Sequence, residues 1–266
     1  MILSLYTKNQ FKINLILNQF LKQTNQQFEL IILNSMSTNE FYKLKLKFKK
    51  LKISGLNFKY SNSFSKNMAS KIATMDYLLF ISSNEIPKEN LIEEFSTKIS
   101  NSNFKILFDF FDFSKELNDK INKKETEILF KKLLDKIIFL KHGPSSNVQF
   151  FENSMKEEII FIERNLFKKI GEFENDLSLI QISNCENWQF HSKIALLVDE
   201  SLIGVIPKSL HFQLKSPFKK LNLKEKYLNK ECAKRVLKLY LKNTPSRIHG
   251  WLLFSWKKYL EINKLI

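Results

Sequence analysis

Two rhythms of apolar and polar positions alternate along the first hundred residues. Short apolar runs at Ile2–Tyr6 and Phe28–Leu33 read as buried strands. Stretches with apolar positions three and four apart, at Phe11–Lys22 and near 38–50, read as amphipathic helices. Leu56–Tyr60 continues as a third strand and Phe64–Thr74 as a third helix. Tyr77–Ile81 is a fourth strand, Lys88–Ser100 a helix, and Phe104–Phe113 an aromatic strand broken after Lys105 only by Asp109 and Asp112. Strand and helix in alternation predict an α/β fold, with a mostly parallel sheet flanked by helices.

Beyond Phe113 the rhythm changes. The spacing of Leu117, Ile121, Ile128, Leu129, Leu133, Ile137 and Leu140 predicts a long amphipathic helix or helix pair, closed by the breaker His142-Gly143-Pro144-Ser145-Ser146. Ile159–Ile162 and Leu202–Ile206 read as strands and Cys185–Leu197 as a helix. After Pro217 the chain reads as helical, with Thr244-Pro245 as cap and first turn of a final helix. No internal repeat is visible.

Composition adds charge to this picture. The chain of 266 residues carries a formal net charge of +16. Its basic residues are almost all lysine, with Arg164, Arg235 and Arg247 the exceptions, and Asn, Ile and Phe are abundant. That usage points to an AT-rich, low-GC bacterial genome, so part of the lysine load is codon drift. Its placement says more. Residues 215–266 hold 14 basic and 3 acidic residues, which suits a polyanion or an anionic membrane surface. Nucleic acid is excluded as the expected partner by the scarcity of arginine and the lack of a binding module. No run reaches the roughly 20 apolar residues of a membrane span, and the N-terminus reads as no signal peptide. Cys185 and Cys232 lack metal-ligand spacing and are expected to be reduced thiols of a cytoplasmic protein. His142, His191, His211 and His249 share no ligand spacing and are expected to be structural or exposed.

The chemistry concentrates where strands end. Tyr77-Leu78-Leu79-Phe80-Ile81 stops abruptly in Ser82-Ser83-Asn84-Glu85-Ile86-Pro87, a buried strand delivering a polar tip. Upstream lie Ser4-Leu5-Tyr6-Thr7-Lys8-Asn9, then Gln23-Thr24 at the end of the first helix. Glu29-Leu30-Ile31-Ile32-Leu33-Asn34-Ser35-Met36-Ser37-Thr38-Asn39 and Ser65-Lys66-Asn67-Met68-Ala69 follow. Downstream come Arg164-Asn165-Leu166-Phe167-Lys168-Lys169-Ile170-Gly171 and Asn184-Cys185-Glu186-Asn187-Trp188. In order and separation these segments resemble the bacterial family 2 glycosyltransferases.

The resemblance implies a GT-A-like domain over 1–214, with a nucleotide-sugar half at 1–113, a helical insertion at 114–158 and an acceptor half at 159–214. A basic helical segment, 215–266, completes the chain. It implies transfer of a sugar, with inversion, from a nucleotide-sugar donor to a surface-polysaccharide (lipopolysaccharide or capsule) or lipid-linked glycan acceptor. The setting is cytoplasmic, at the inner face of the plasma membrane. Thr7, Asn9, Asn34, Lys66, Asn67, Ser82 and Asn84 would line the donor site, and Glu29 stands where the family's leading acid contacts the nucleotide base. On the acceptor side an acid acts as general base; here Asn187 holds that place, and Glu186 serves if the register shifts by one.

Asn34, Asn39, Asn84 and Asn187 stand where the family has aspartate, and Ser82 replaces another. The family's divalent Mg or Mn thus loses its charged ligands, with Glu85 the one acid nearby. Lys66, and more weakly Lys8, are candidates to neutralise the diphosphate directly. The rival expectation is an inactive pseudo-glycosyltransferase that binds a glycan or partner at the membrane surface. Glu186 reads equally as the acid that suits a helix N-terminus. The lysines and aromatics of the tail read either as a bilayer-adsorbing face or as a solvated helical subdomain.

Overall fold

Ile13, Ile16, Leu17 and Phe20 recur at helical spacing and are all fully buried, so the first amphipathic stretch becomes the helix α1, Gln10–Leu21. The computed structural model describes residues 2–4, 10–34, 36–57, 62–82, 85–109, 159–174, 185–206, 210–213, 223–250, 252–254 and 257. The first hundred positions give β1 (Ile2–Ser4), α1, β2 (Leu30–Asn34), α2 (Thr38–Lys47), β3 (Ile53–Asn57), α3 (Asn62–Ile72), β4 (Tyr77–Ser82), β5 (Glu85–Pro87) and α4 (Leu91–Ser100). Then come β6 (Ile106–Asp109), β7 (Ile160–Glu163), α5 (Arg164–Lys169), α6 (Cys185–Leu197), β8 (Ile203–Ile206), β9 (His211–Gln213) and α7 (Leu223–Asn243). The helix expected over 114–140 and its breaker lie outside the described residues.

The chain divides into two units. The first comprises Met1–Ile121, Glu158–Glu172 and Ser201–Ser216. Its seven-stranded sheet has the order β3-β2-β1-β4-β7-β6-β8. Only β7 is antiparallel to its neighbours; all the other pairings in this sheet are parallel. Leu30, Ile31, Ile32 and Leu33 are all buried, as befits a parallel strand covered on both faces. One core cluster draws Leu17 from α1, Ile32 from β2, Leu44 from α2, Leu79 from β4 and Phe95 from α4.

Helix starts follow local chemistry. Ser37 and Glu40 form a capping box on α2: Glu40 N donates to Ser37 Oγ at 3.3 Å and Ser37 N to Glu40 Oε2 at 2.8 Å. Asn90, at the start of α4, makes no side-chain cap bond. Gln23 substitutes from the end of α1: its Oε1 accepts from Ile92 N at 3.1 Å and its Nε2 donates to Lys88 O at 2.6 Å. Thr24 Oγ1 donates to Glu93 Oε2 at 2.6 Å. The Gln23-Thr24 pair noted in the sequence is therefore a tie between two helices, with its amide oxygen satisfying an orphan N–H.

Two strands depart from the periodicity. The third starts at Ile53 rather than Leu56, and Gly55 sits inside it. A Cβ at Gly55 would overlap the Phe41 ring of α2, so the missing side chain admits a close helix–strand approach at the cost of the apolar signal. Glu85–Pro87, read as part of the polar tip of the fourth strand, pairs antiparallel with β9 in a separate two-stranded sheet, Glu85 opposite Gln213 and Pro87 opposite His211.

The second unit comprises Asn122–Glu157, Phe173–Glu200 and Pro217–Ile266. Here α6 packs on α7, and α6 occupies the span its periodicity predicts. The rings of Phe173 and Phe190 meet at a tilt of 37°, with centroids 4.4 Å apart. Tyr240 is buried on α7, and its hydroxyl is hydrogen-bonded to Ser192; burial pushes its pKa well above the usual range. Cys232 is 1% exposed and disulfide-bonded. This overturns the expectation of reduced thiols: the burial and helix packing that make the bond are tertiary, and spacing along the chain carries no trace of them. Thr244 differs too, because its Oγ1 donates back to Tyr240 O at 2.7 Å and so closes α7, leaving Pro245 as the cap of the short turn Ser246–Ile248.

Candidate functional site

Crossovers place the polar strand ends. From β1 the chain builds outward through β2 and β3, then returns to add β4 on the other side of β1. Such a reversal leaves a crevice outside the carboxyl ends of the strands. Ser4 closes β1 directly opposite Ser82, the last residue of β4. Asn34 closes β2 opposite Asn57 of β3, and Asp109 closes β6 opposite Ile206 of β8. Of the expected donor residues, register thus brings Asn34 and Ser82 to one edge. Thr7, Asn9 and Asn84 lie outside the described residues, as does Asp112.

Helix α3 carries the rest, packed against β1 and β2. Ser63, Ser65, Lys66, Asn67 and Ser70 are all buried, Lys66 at 6% exposure. Ser70 Oγ donates to Asn67 O at 2.7 Å. A stretch this polar, buried in an α/β core, is costly unless each group is engaged, and Ser65, Lys66 and Asn67 all have partners. Composition hides this set: as one lysine among many, Lys66 stands out only by its place in the motif.

Glu29 is not at this edge. It precedes β2, at the amino ends of the strands, whereas the resemblance gives it the nucleotide base. Its Oε1 accepts from Thr74 N at 2.5 Å and Met75 N at 3.2 Å, and its Oε2 from Thr74 Oγ1 at 3.0 Å. It therefore ties the end of α3 to the start of β2. Burial pushes the carboxyl up, but the Thr74 and Met75 donors outweigh it and hold the pKa below the ordinary value. A lowered folded-state pKa adds stability that is present above the unfolded pKa and lost as pH falls through the folded one. Glu29→Gln is expected to lower stability at neutral pH by about 1–3 kcal/mol. In thermal melts from pH 7 to pH 3 the gap to the unaltered chain should narrow below the ordinary carboxylate range; a constant gap would contradict the assignment.

The acceptor-side residues belong to the second unit. Glu186 and Asn187 stand half-buried in the first turn of α6, and Glu186 is the acid of that turn. Neither is unpartnered. Lower on the same helix, Lys193 Nζ meets Glu174 at 2.6 Å, and Gln189, His191 and Ser192 are buried. His191 is thus structural, and His249 Nε2 lies 3.0 Å from Thr244 O. The turn at Ile170–Glu172 that leads toward this unit is a Schellman motif. Glu172 N donates to Phe167 O at 3.2 Å and Gly171 N to Lys168 O at 3.1 Å, with Gly171 at φ 90° and Glu172 at φ 50°.

A divalent metal is implied by the resemblance, and the donor set does not fit it. The positions that would ligate it are Ser82 and Asn84, a hydroxyl and an amide without charge. Glu85 is the nearby carboxylate, and it is buried within β5. Among the described residues no group of three His, Cys, Asp or Glu is gathered to hold an ion. A hard cation needs more carboxylate than this.

An open, mostly parallel sheet whose polar strand ends meet at a reversal of strand order, with the acceptor-side motif on a separate helical unit, defines a GT-A glycosyltransferase fold. The model of the family described as glycosyltransferase like family 2 matches residues 1–258, and the chain belongs to that family. Among solved structures it resembles S. aureus TarS 1-349 in complex with UDP-GlcNAc, at 15% identity and a TM-score of 0.64, covering 97% of this chain and 70% of that one. Mannosyltransferase PcManGT from Pyrobaculum calidifontis, in complex with GDP-Man and Mn2+, aligns at 11% identity and a TM-score of 0.58, covering 98% and 74%. Glucosyl-3-phosphoglycerate synthase from Mycobacterium tuberculosis aligns at 10% identity and 0.56, covering 88% and 79%. At these identities the likeness speaks for the fold. No curated protein matches the sequence.

Proposed function

We propose that this chain transfers a sugar from a nucleotide-sugar donor to a surface-polysaccharide or lipid-linked glycan acceptor, with inversion and without a metal at the donor diphosphate. The observation that carries the reading is the buried Lys66 on α3, a helix packed against β1 and β2, in a sequence where Ser82 and Asn84 stand at the places of charged metal ligands. Lys66 supplies the positive charge that stabilises the departing nucleoside diphosphate. Asn34, Asn67, Ser82 and Asn84, with Thr7 and Asn9, shape the donor site. Glu186 takes the proton of the acceptor hydroxyl as it attacks the anomeric carbon from the face opposite the leaving group. The neutral Asn187 cannot do so and orients the acceptor.

Thermal shift with a panel of nucleotide sugars and nucleoside diphosphates, with and without manganese, tests the donor half. Stabilisation independent of manganese is the expected result. No response to any donor would favour the second reading, a fold kept for binding after loss of turnover, which the neutral residues at the aspartate positions support.

The same reading sets the protein on the inner face of the plasma membrane. Lys234, Lys238 and Lys242 are exposed four residues apart on α7, and Leu253 and Phe254 are exposed at 47% and 55%. Exposed cations and exposed apolar side chains on one segment suit an anionic bilayer. Among the described residues no helix is long and apolar enough to cross one. Flotation with anionic liposomes should be lost when the three lysines are replaced by glutamate; binding that survives would remove this role.

A further inference from the structure

The disulfide at Cys232 has no part in the proposed reaction, yet its place on the second unit bears on it. The sequence holds one other cysteine, Cys185, the first residue of α6, and the next two residues are Glu186 and Asn187. Among the described residues no cysteine is free. We infer that Cys232 is bonded to Cys185 and that this bond positions the first turn of α6, and with it Glu186, on α7; the functional half of the inference rests on the transferase reading above.

A second tie along the same pair of helices supports the pairing. Ser192 of α6 is hydrogen-bonded to Tyr240 of α7. From Cys185 to Ser192 is seven residues and from Cys232 to Tyr240 eight, rises of about 10 and about 12 Å. The two ties would therefore be spaced alike on both helices, as two ties across one packed helix pair require. Cys232, Val236 and Tyr240 lie on one i, i+4, i+8 ridge and are at most 1% exposed, and Ser192 is 2% exposed on its side of the seam. At the far end, hydrogen bonding and packing hold α6. At the near end the first turn of a helix leaves its backbone N–H groups without intrahelical partners, and a covalent tie there adds a constraint on that turn. Burial also accounts for a disulfide in a protein placed on the cytoplasmic face, since a shielded bond resists thiol exchange.

Opening the bond with dithiothreitol breaks S–S and yields two thiols, the two electrons and two protons coming from the reagent as it closes to its own cyclic disulfide. The test uses the full chain in both states. Thiol titration of the denatured, unreduced protein should find no free thiol, and two after reduction. Hydrogen exchange should speed up at residues 186–189 on reduction while β1 and β4 stay protected. In the transfer assay reduction should lower kcat by about ten- to a hundredfold, with the affinity for nucleoside diphosphate unchanged, and reoxidation should restore it. Cys232→Ser and Cys185→Ser should each reproduce the reduced state and be insensitive to the reagent. Two free thiols in the unreduced chain, unchanged exchange at 186–189, or an unchanged kcat after opening would each overturn the inference. If even the oxidised chain transfers nothing, the transferase reading fails while titration and exchange still decide the positioning claim.

Discussion

Glu186→Gln is expected to lower kcat by about 10²- to 10⁴-fold while leaving donor binding intact. The substitution keeps the size and the hydrogen-bonding shape of the side chain and removes only its capacity to take a proton. Stability should change little, because Glu186 stands half-buried in the first turn of α6 and an amide can still accept from the backbone there. The measurement is kcat alongside a thermal shift with nucleoside diphosphate. A variant that turns over at the original rate would remove Glu186 as the base. Asn187→Asp sharpens the result: if position 187 is the catalytic place, an acid there should raise the rate of the Glu186→Gln chain, and if position 186 is, it should not.

Lys66→Met should weaken nucleoside-diphosphate binding by about ten- to a hundredfold, the loss of one charge-assisted interaction of about 1.5–3 kcal/mol. Methionine keeps the apolar length of the lysine stem, and Lys66 is 6% exposed on a helix packed against β1 and β2, so packing is nearly preserved. The unliganded melting temperature is the control. It should fall, because the partners of the buried Lys66 lose their cation, so affinity is compared at a temperature where both chains are folded. Affinity unchanged in a folded variant would mean that Lys66 is a structural cation, and the diphosphate would have to be neutralised elsewhere.

The sheet was legible wherever burial was two-sided. β2 is buried from Leu30 to Leu33 and so reads as an unbroken apolar run, and α6 occupies the predicted span because its interior positions keep helical spacing. Legibility failed where a contact replaced a side chain or a strand was too short for a period. Gly55 gives its place to the Phe41 ring, and the three-residue pair β5 and β9 is visible only as cross-strand hydrogen bonding. Within the candidate site, the strand-end residues were legible from order and spacing. Glu29 was misplaced because a motif fixes a residue's neighbours in sequence, whereas its partners Thr74 and Met75 come from the far end of another helix. The disulfide was missed for the same reason, being a product of how α6 and α7 pack.

The antiparallel strand β7 carries a consequence for the rim of the sheet. Because β7 runs against β4 and β6, its first residue, Ile160, pairs with Phe108 near the carboxyl end of β6. Asp109 and Ile160, the described ends of the connection between β6 and β7, therefore lie at the same edge as Ser4, Asn34 and Ser82. A parallel strand would have forced that connection to cross a face of the sheet, binding its length and composition to the core. With both of its ends on one rim, that connection can change in length without a register shift in the strands that it joins.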